Sequence, residues 1–302
     1  MVDNSSEDRL AAARVEEALY ARIGEGAPKR RLDATRRAVE LLGDPQRMYG
    51  VIHIAGTNGK TSTARITESL LRAHGLRVGL MTSPHLNRLS ERIMIDGEPI
   101  SDRMLADNWA DVEPFIQMVD AELEAKSEPP LTFYEALTVL TFAAFADAPV
   151  DVAVVEVGMG GEWDATNVVV ADVAVLTPIA MDHAEFLGNT IREIARTKAG
   201  IIKPASRVVT AAQSDDAMEE ILRACERDEA TVRVMGRDFY LTSAEPAVGG
   251  QVLSVSGVAG EYRNLGLPLF GEHQADNAAL AIAAVESFLG NGEQPLGAEV
   301  VE

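Results

Sequence analysis

Residues Val51-Ile52-His53-Ile54-Ala55-Gly56-Thr57-Asn58-Gly59-Lys60-Thr61-Ser62 constrain the fold more than any other stretch of the chain. An apolar, β-branched run breaks at Gly56 and turns through Gly59. It continues into Thr63–Leu71, where apolar residues recur at helical spacing. Strand, glycine loop, Lys-Thr and helix, in that order, describe a phosphate cradle. Backbone N–H groups and the positive end of the helix dipole bind phosphate oxygens in such a loop. Lys60 would reach the β- and γ-phosphates, and a hydroxyl would hold Mg²⁺. The loop is a short form, because Ile54 stands where the long form has a further glycine. The competing reading is an ordinary strand-to-helix turn. The buried strand before it and the helix after it favour the cradle.

Bulk properties exclude several classes. The formal charge of −20 leaves no general basic face for a nucleic acid. It does not exclude a nucleotide, since a few local cations outweigh a distant, salt-screened field. No run reaches the apolar length of a membrane span, and no signal peptide opens the sequence as given. The one cysteine, Cys225, shares helical spacing with Met218, Ile221 and Leu222, which reads as a buried thiol. These features suit a reducing cytoplasm.

Taken in order, the chain reads as α/β. A charged, Ala-rich start (Asp3 to Glu17) lies in an amphipathic helix running to about Glu25, marked by Leu10, Val15, Leu19 and Ile23. A second helix covers Arg36–Leu42, with Asp33 as N-cap. The phosphate-loop strand pairs in parallel with a strand over Leu76–Thr82 through a right-handed crossover. Glu91–Ile100 forms a hairpin at Asp96-Gly97. Helices follow over Ser101–Glu124 and Thr132–Phe145, the latter with a capping box at Thr132-x-x-Glu135. Asp151–Val157 is the cleanest central strand, and Asp172–Leu176 another. A helix over Thr190–Ala199 carries a second capping box and closes at Gly200. A strand at Val208–Ala211 and a helix at Asp215–Arg227 complete this part.

After Thr231 the pattern shortens and alternates. Val232–Met235, Phe239–Thr242, Gln251–Val255 and Tyr262 suggest a small antiparallel sheet. An Ala-rich helix spans Gly271–Leu289. The expected architecture is therefore a doubly wound, mostly parallel sheet with an antiparallel subsheet. One domain over 1–289 contains a phosphate-loop core (31–230) and the subsheet (231–270). Residues 290–302 read as a linker or tail.

Polar clusters fall at strand ends, which share one edge in such a sheet. They are the phosphate loop, Ser83-Pro84-His85, Glu156 and Asp182-His183. Glu156, ending a buried strand beside a phosphate loop, is placed to hold a magnesium or its water; the alternative is a carboxylate capped by the following glycine loop. His183 reads either as a ligand or as a structural hydrogen-bonder. Lys198 sits in the last turn of a helix, where the dipole favours any lysine. His273 and Asn277 share a helical face, either at a ligand edge or in solvent.

Together the motifs resemble the folylpolyglutamate synthase/dihydrofolate synthase family of the Mur ligase superfamily. The resemblance rests on Gly56-Thr57-Asn58-Gly59-Lys60, Thr82-Ser83-Pro84-His85-Leu86, Glu91-Arg92-Ile93, Glu156-Val157-Gly158-Met159-Gly160-Gly161, Asp164-Ala165-Thr166-Asn167, Asp182-His183, Lys198-Ala199-Gly200-Ile201 and Gly271-Glu272-His273-Gln274-x-x-Asn277-Ala278. It runs from about Leu32 to Leu289. The Asp-Ala-Thr-Asn and Ser-Pro-His-Leu segments separate it from cell-wall ligases.

The resemblance implies an ATP-dependent ligase. ATP phosphorylates a folate or dihydropteroate carboxylate, and the amine of L-glutamate then displaces phosphate. It implies ATP binding by Gly56, Thr57, Asn58, Gly59, Lys60, Thr61 and Ser62, with His273 and Asn277 on the adenine side. One Mg²⁺ falls to Ser62 or Thr61, with Ser83 and Glu156. The second falls to His183 and a carbamate on Lys198. Lys60, Lys198 and His183 are the implied catalytic groups. Ser83, Pro84, His85, Phe133 and Asp164 are the implied folate contacts, with the Ser83–Arg88 loop closing over them. A monomer is expected, with neither nucleic acid nor membrane as partner.

Two positions depart from the family pattern. Thr61 stands where glycine is usual, and Thr197 where glutamate usually precedes the carbamoylated lysine. Family members also carry a further Rossmann-like domain after the last helix, whereas this sequence stops at residue 302. The expectation is therefore ATP·Mg²⁺ and dihydropteroate binding with little turnover. Rival readings are another Mur-type amide ligase and a non-catalytic nucleotide-binding module.

Overall fold

The structure, a computed structural model, describes residues 5–301; Met1 to Asn4 and Glu302 lie outside it, including the first residues of the expected N-terminal helix and the end of the expected tail. The chain opens with α1 (Ser6–Tyr20) and α2 (Asp33–Leu41), then enters β1 (Gly50–Ala55) and α3 (Lys60–Ala73). β2 (Val78–Met81) and a hairpin of β3 (Ile93–Ile95) and β4 (Glu98–Pro99) follow, then α4 (Asp102–Ala125), α5 (Phe133–Asp147) and β5 (Val152–Glu156). Next come β6 (Val173–Leu176), α6 (Ala184–Leu187), α7 (Ile191–Ala199), β7 (Arg207–Thr210), α8 (Asp215–Arg227) and β8 (Thr231–Val234). The last part contains β9 (Tyr240–Ala247), β10 (Gly250–Ser256), β11 (Glu261–Leu267), α9 (Glu272–Gly290) and α10 (Ala298–Val301).

Eight strands form one sheet in the order β4-β3-β2-β5-β1-β6-β7-β8, parallel from β2 to β8. Alternation along each central strand supplies both faces. Val152 and Val154 pack toward α3 and α9, while Ala153 and Val155 pack toward α4 and α5. Burying each such valine or isoleucine contributes about 1.5–3 kcal/mol. α7 and α8 cover β6 and β7 through Ile194, Ile221 and Cys225. The thiol is buried as expected, and burial pushes its pKa up to about 11. Both expected capping boxes are present, at Thr132/Glu135 and Thr190/Glu193.

Several expectations require correction. α1 stops at Tyr20, and Leu10 faces solvent, because Ala12, Val15 and Leu19 form the buried stripe. Leu222 is likewise on the exposed side of α8. Asp33 is the first residue of α2, not its cap; the N-cap is Leu32, with no side-chain bond. β1 and β2 do not pair, because β5 inserts between them and pairs with both. Within Glu91–Ile100 the hairpin begins at Ile93; Glu91 and Arg92 belong to a 3-10 turn. β8 is not antiparallel. It pairs in parallel with β7 at the edge of the main sheet, so the antiparallel sheet is β11-β10-β9 alone.

The tail also packs. Leu296 and Val301 are buried beneath the small sheet, and the Leu296 N–H donates to the Tyr262 hydroxyl at 2.7 Å. That hydroxyl in turn donates to Glu286 of α9. The Glu286 carboxylate also accepts from the N–H groups of Val258, Ala259 and Gly260, which locks the small sheet to α9. Among the described residues no helix is long and apolar enough to cross a membrane.

Candidate active site

The carboxyl ends of β2, β5, β1 and β6 lie side by side, and each feeds one of the polar clusters. β1 runs into the phosphate loop. Gly56 has φ +148°, and a Cβ there would lie 1.8 Å from the Thr177 hydroxyl at the end of β6. Gly59 has φ +84°, and its Cβ would lie 2.4 Å from Asn277 Oδ1 on α9. Both positions therefore require glycine, by conformation and by close approach.

The loop's N–H groups are not all free, contrary to the simple cradle reading. Those of Thr57 and Asn58 donate to the Pro178 carbonyl, and the Thr57 hydroxyl bridges to Ala180. The chain after β6 therefore stiffens the loop. The N–H groups left for an anion are those of the first turn of α3, which no intrahelical bond satisfies.

Two lysines meet at one oxygen. Lys60 Nζ donates to the Gly56 carbonyl at 3.2 Å and to Thr57 at 3.3 Å. Lys198 Nζ donates to the same Gly56 carbonyl at 2.7 Å. Lys198 is only 4% exposed, so the helix-dipole explanation for a surface lysine does not apply. Burial, followed by the nearby charge of Lys60, lowers its pKa to about 7. The turn after β5 aims it. The Glu162 N–H donates to the Thr197 carbonyl, and Asn167 donates to both Glu162 and Gly200. The end of α7 is thereby tied to that turn.

Glu156 is 1% exposed. It accepts from the Thr61 hydroxyl at 2.8 and 3.0 Å and from the Ser83 N–H at 3.2 Å. Of the two candidate hydroxyls, Thr61 is the one bonded to the carboxylate. Burial pushes the Glu156 pKa up to about 6 despite these bonds and the neighbouring Lys60. A buried carboxylate made costly by desolvation, with the Thr61 hydroxyl beside it, fits a hard cation such as Mg²⁺. Among the described residues no three His, Cys, Asp or Glu side chains gather into a metal-binding group. The donors shown here are instead one carboxylate and the Thr61 hydroxyl, and Mg²⁺ in such settings keeps several waters.

A cavity of about 460 Å³ opens beside this centre. Lys60, Ser83, Pro84, Asp164 and His183 line it, so five expected site residues converge there. His183 is half-exposed in a left-handed conformation, with Nε2 3.5 Å from the Asp182 carboxylate.

Other expected residues lie elsewhere. His85 is outside the lining and accepts from Arg92 at 2.7 Å, with Tyr20 on its other nitrogen. Phe133 lies behind the wall, stacked on Tyr20 and beneath the Arg92 guanidinium. Asn277 is buried against Gly59, while His273 is exposed. The Asp164 carboxylate is largely engaged within its own turn, accepting from Met159 and Thr166. The segment after Pro84 is pinned by Glu91, which accepts from the N–H groups of Leu86, Asn87 and Arg88.

Sequence reasoning missed Tyr134, Trp163, Lys29 and Arg31, which also line the cavity. Arg30 packs over the Trp163 ring and donates to the Phe186 carbonyl. A run of three cations, Lys29-Arg30-Arg31, was the signal available for this rim.

The Mur ligase middle domain describes residues 54–285 of the chain. The dihydrofolate synthase/folylpolyglutamate synthase of Mycobacterium tuberculosis is 48% identical over 280 residues, covering 88% of this chain and 58% of that protein. The folylpolyglutamate synthase of Lacticaseibacillus casei is 38% identical over 258 residues, covering 85% and 60%. Among solved structures, Mycobacterium tuberculosis folylpolyglutamate synthase complexed with ADP superposes with a TM-score of 0.91 at 45% identity, covering 97% of this chain and 65% of that one. An FPGS-AMPPCP-folate complex gives 0.87 at 35% identity, covering 96% and 70%. The chain thus spans about three-fifths of the length of the two curated relatives.

Proposed function

From the premise that the chain belongs to the Mur ligase family through its middle domain, we propose that it is the nucleotide- and acyl-acceptor-binding part of an ATP-dependent ligase. That ligase joins L-glutamate to dihydropteroate or to a folate. The observation that carries this reading is the shared cavity. Lys60 and Ser83 of the phosphate end line the same 460 Å³ space as Tyr134, Trp163 and Asp164 of the aromatic end. The relatives' names supply the chemistry, and the ADP and folate complexes supply the ligand classes.

A carboxylate resists attack by an amine until one oxygen becomes a good leaving group. Transfer of the γ-phosphoryl group to it provides that leaving group. The glutamate amine then attacks the acyl carbon and expels phosphate. In this reading the first turn of α3 and Lys60 hold the β- and γ-phosphates and neutralise their charge. Glu156, Thr61 and Ser83 would hold one Mg²⁺, which would balance charge on the phosphates when bound. Lys198 is the candidate carbamate. An amine with a pKa near 7 has a neutral fraction able to react with CO₂. The new N–C bond forms with loss of one amine proton, and the resulting anion, with His183, would suit a second Mg²⁺. The cavity's aromatic and cationic walls take the pteridine and its carboxylate tail.

Titration calorimetry with dihydropteroate in the presence of Mg²⁺ and a non-hydrolysable ATP analogue tests the reading. Binding of both ligands together is the expected result. Preference for a UDP-linked peptide would assign the chain to another Mur-type amide ligase. Absence of nucleotide binding would leave a scaffold module.

A further inference from the structure

His53 is fully buried in the middle of β1, between Val155 of β5 and Ala174 of β6. A histidine is out of place among the valines and isoleucines of a central strand. Its Nε2 lies 2.9 Å from the Thr166 hydroxyl. That hydroxyl is also bonded to Asp164 Oδ1, which accepts from the Thr166 N–H as well. The second Asp164 oxygen accepts from the Met159 N–H at 2.9 Å.

The direction of this chain follows from the donor inventory. A carboxylate only accepts, so the single Thr166 hydroxyl proton points to Asp164. The hydroxyl must then accept from the imidazole. His53 is therefore the Nε2–H tautomer, and its Nδ1 is a buried nitrogen with no partner. Burial, followed by the charge of Lys203, lowers the imidazole pKa to about 3, which keeps the ring neutral. The arrangement leaves one orphaned polar atom in the core, a cost an apolar residue at position 53 would remove.

We propose that His53 is a positioning residue for the ligand cavity: its Nε2–H fixes the Thr166 hydroxyl, and through it the orientation of the Asp164 carboxylate at the cavity wall. The inference rests on the reading that this cavity takes a pteridine. Asp164 in turn holds the Met159 and Thr166 N–H groups, so the chain of bonds from His53 fixes the turn whose Met159, Asp164 and Ala165 line the cavity. Because His53 is the third residue before Gly56, the same strand sets both the phosphate loop and the acceptor pocket. The two halves of the cavity therefore share one rigid reference.

The test compares His53→Leu with His53→Gln, whose amide can still donate to Thr166. Dihydropteroate and Mg²⁺·ATP affinities are measured separately on the whole chain. The expected result is dihydropteroate binding about tenfold weaker in His53→Leu, recovered to within about threefold in His53→Gln, with Mg²⁺·ATP binding unchanged in both. Should either variant fail to fold, Thr166→Val against Thr166→Ser carries the same comparison. Equal dihydropteroate affinity in wild type and His53→Leu would overturn the positioning role while leaving the pteridine reading intact. Equal losses of both ligands in the Leu and Gln variants would reduce His53 to a general structural residue. Failure of the wild type itself to bind dihydropteroate would instead sink the pteridine reading, and this proposal with it.

Discussion

Lys198 Nζ lies 2.7 Å from the carbonyl oxygen of Gly56, across 142 positions of sequence. That bond joins the end of α7 to the phosphate loop and brings a second amine to the oxygen already bonded to Lys60. Burial, followed by the charge of Lys60 at the same oxygen, lowers the pKa of Lys198 to about 7.

The first prediction concerns that lysine. An unfolded lysine titrates near about 10.4, well above the folded value. The unfolded state therefore binds more protons between these two values, and stability rises with pH across that window. The burial penalty is full below about pH 7 and gone by about pH 10. Urea unfolding of wild type and Lys198→Met from pH 6 to 10 reads it: the difference between the two proteins should shift toward wild type as pH rises. With ¹³C-bicarbonate, wild type should also show a carbamate resonance that Lys198→Arg lacks.

Glu156 gives the second prediction, with the opposite sign. Its folded pKa of about 6 exceeds the ordinary carboxyl value of about 4.3. The native state binds more protons between these values, so its contribution to stability falls as pH rises through the window. Mg²⁺ needs the ionised form, so Mg²⁺-dependent nucleotide affinity should fall as pH drops below about 6. Calorimetry between pH 5 and 8 should show that step in wild type and lose it in Glu156→Gln.

The third prediction separates the two loop glycines. In Gly56→Ala the new Cβ would meet the short Thr177 side chain at 1.8 Å and the Thr177 carbonyl at 2.9 Å, and neither is a flexible side-chain end that could move away. In Gly59→Ala it would meet the end of Asn277, a side chain that can move. The expected losses are about 3 kcal/mol for Gly56→Ala and about 2 kcal/mol for Gly59→Ala, from strain and overpacking. Adding Asn277→Ala should recover part of the second loss in urea unfolding, and Thr177→Ala little of the first.

Much of this site was legible in the sequence because its signals are local. The strand-loop-helix around Lys60 and the two capping boxes are each read within a dozen residues, and the chain folds there as expected. What escaped depends on distant partners. Thr231–Val234 alternates in the same way at the edge of a parallel sheet as in a hairpin, and only its pairing with β7 decides. The insertion of β5 between β1 and β2 leaves no trace in either strand. Lys198 resembles a surface helix end until the Gly56 carbonyl is placed against it. Asp164 reads as a free ligand group until its bonds to Met159 and Thr166 are drawn. The apolar neighbours of His53 hid it as one more residue of a buried strand.

A fourth prediction uses the missed aromatic wall. Trp163 lines the cavity, whereas the other tryptophan, Trp109 of α4, is buried in the core. Dihydropteroate should quench tryptophan fluorescence through Trp163 alone. Trp163→Phe should abolish the quench while keeping binding, because a flat apolar ring remains.

The central claim is that Val51–Ser62 forms a metal-dependent phosphate site in which Lys60 meets the nucleotide. Calorimetric titration of ATP into wild type and Lys60→Ala, each with Mg²⁺ and with a chelator, tests it most directly. Wild type should bind ATP only with Mg²⁺, and Lys60→Ala should bind at least about tenfold more weakly, a difference of about 1.4 kcal/mol. Equal affinity in the two proteins, or binding indifferent to Mg²⁺, would contradict the account.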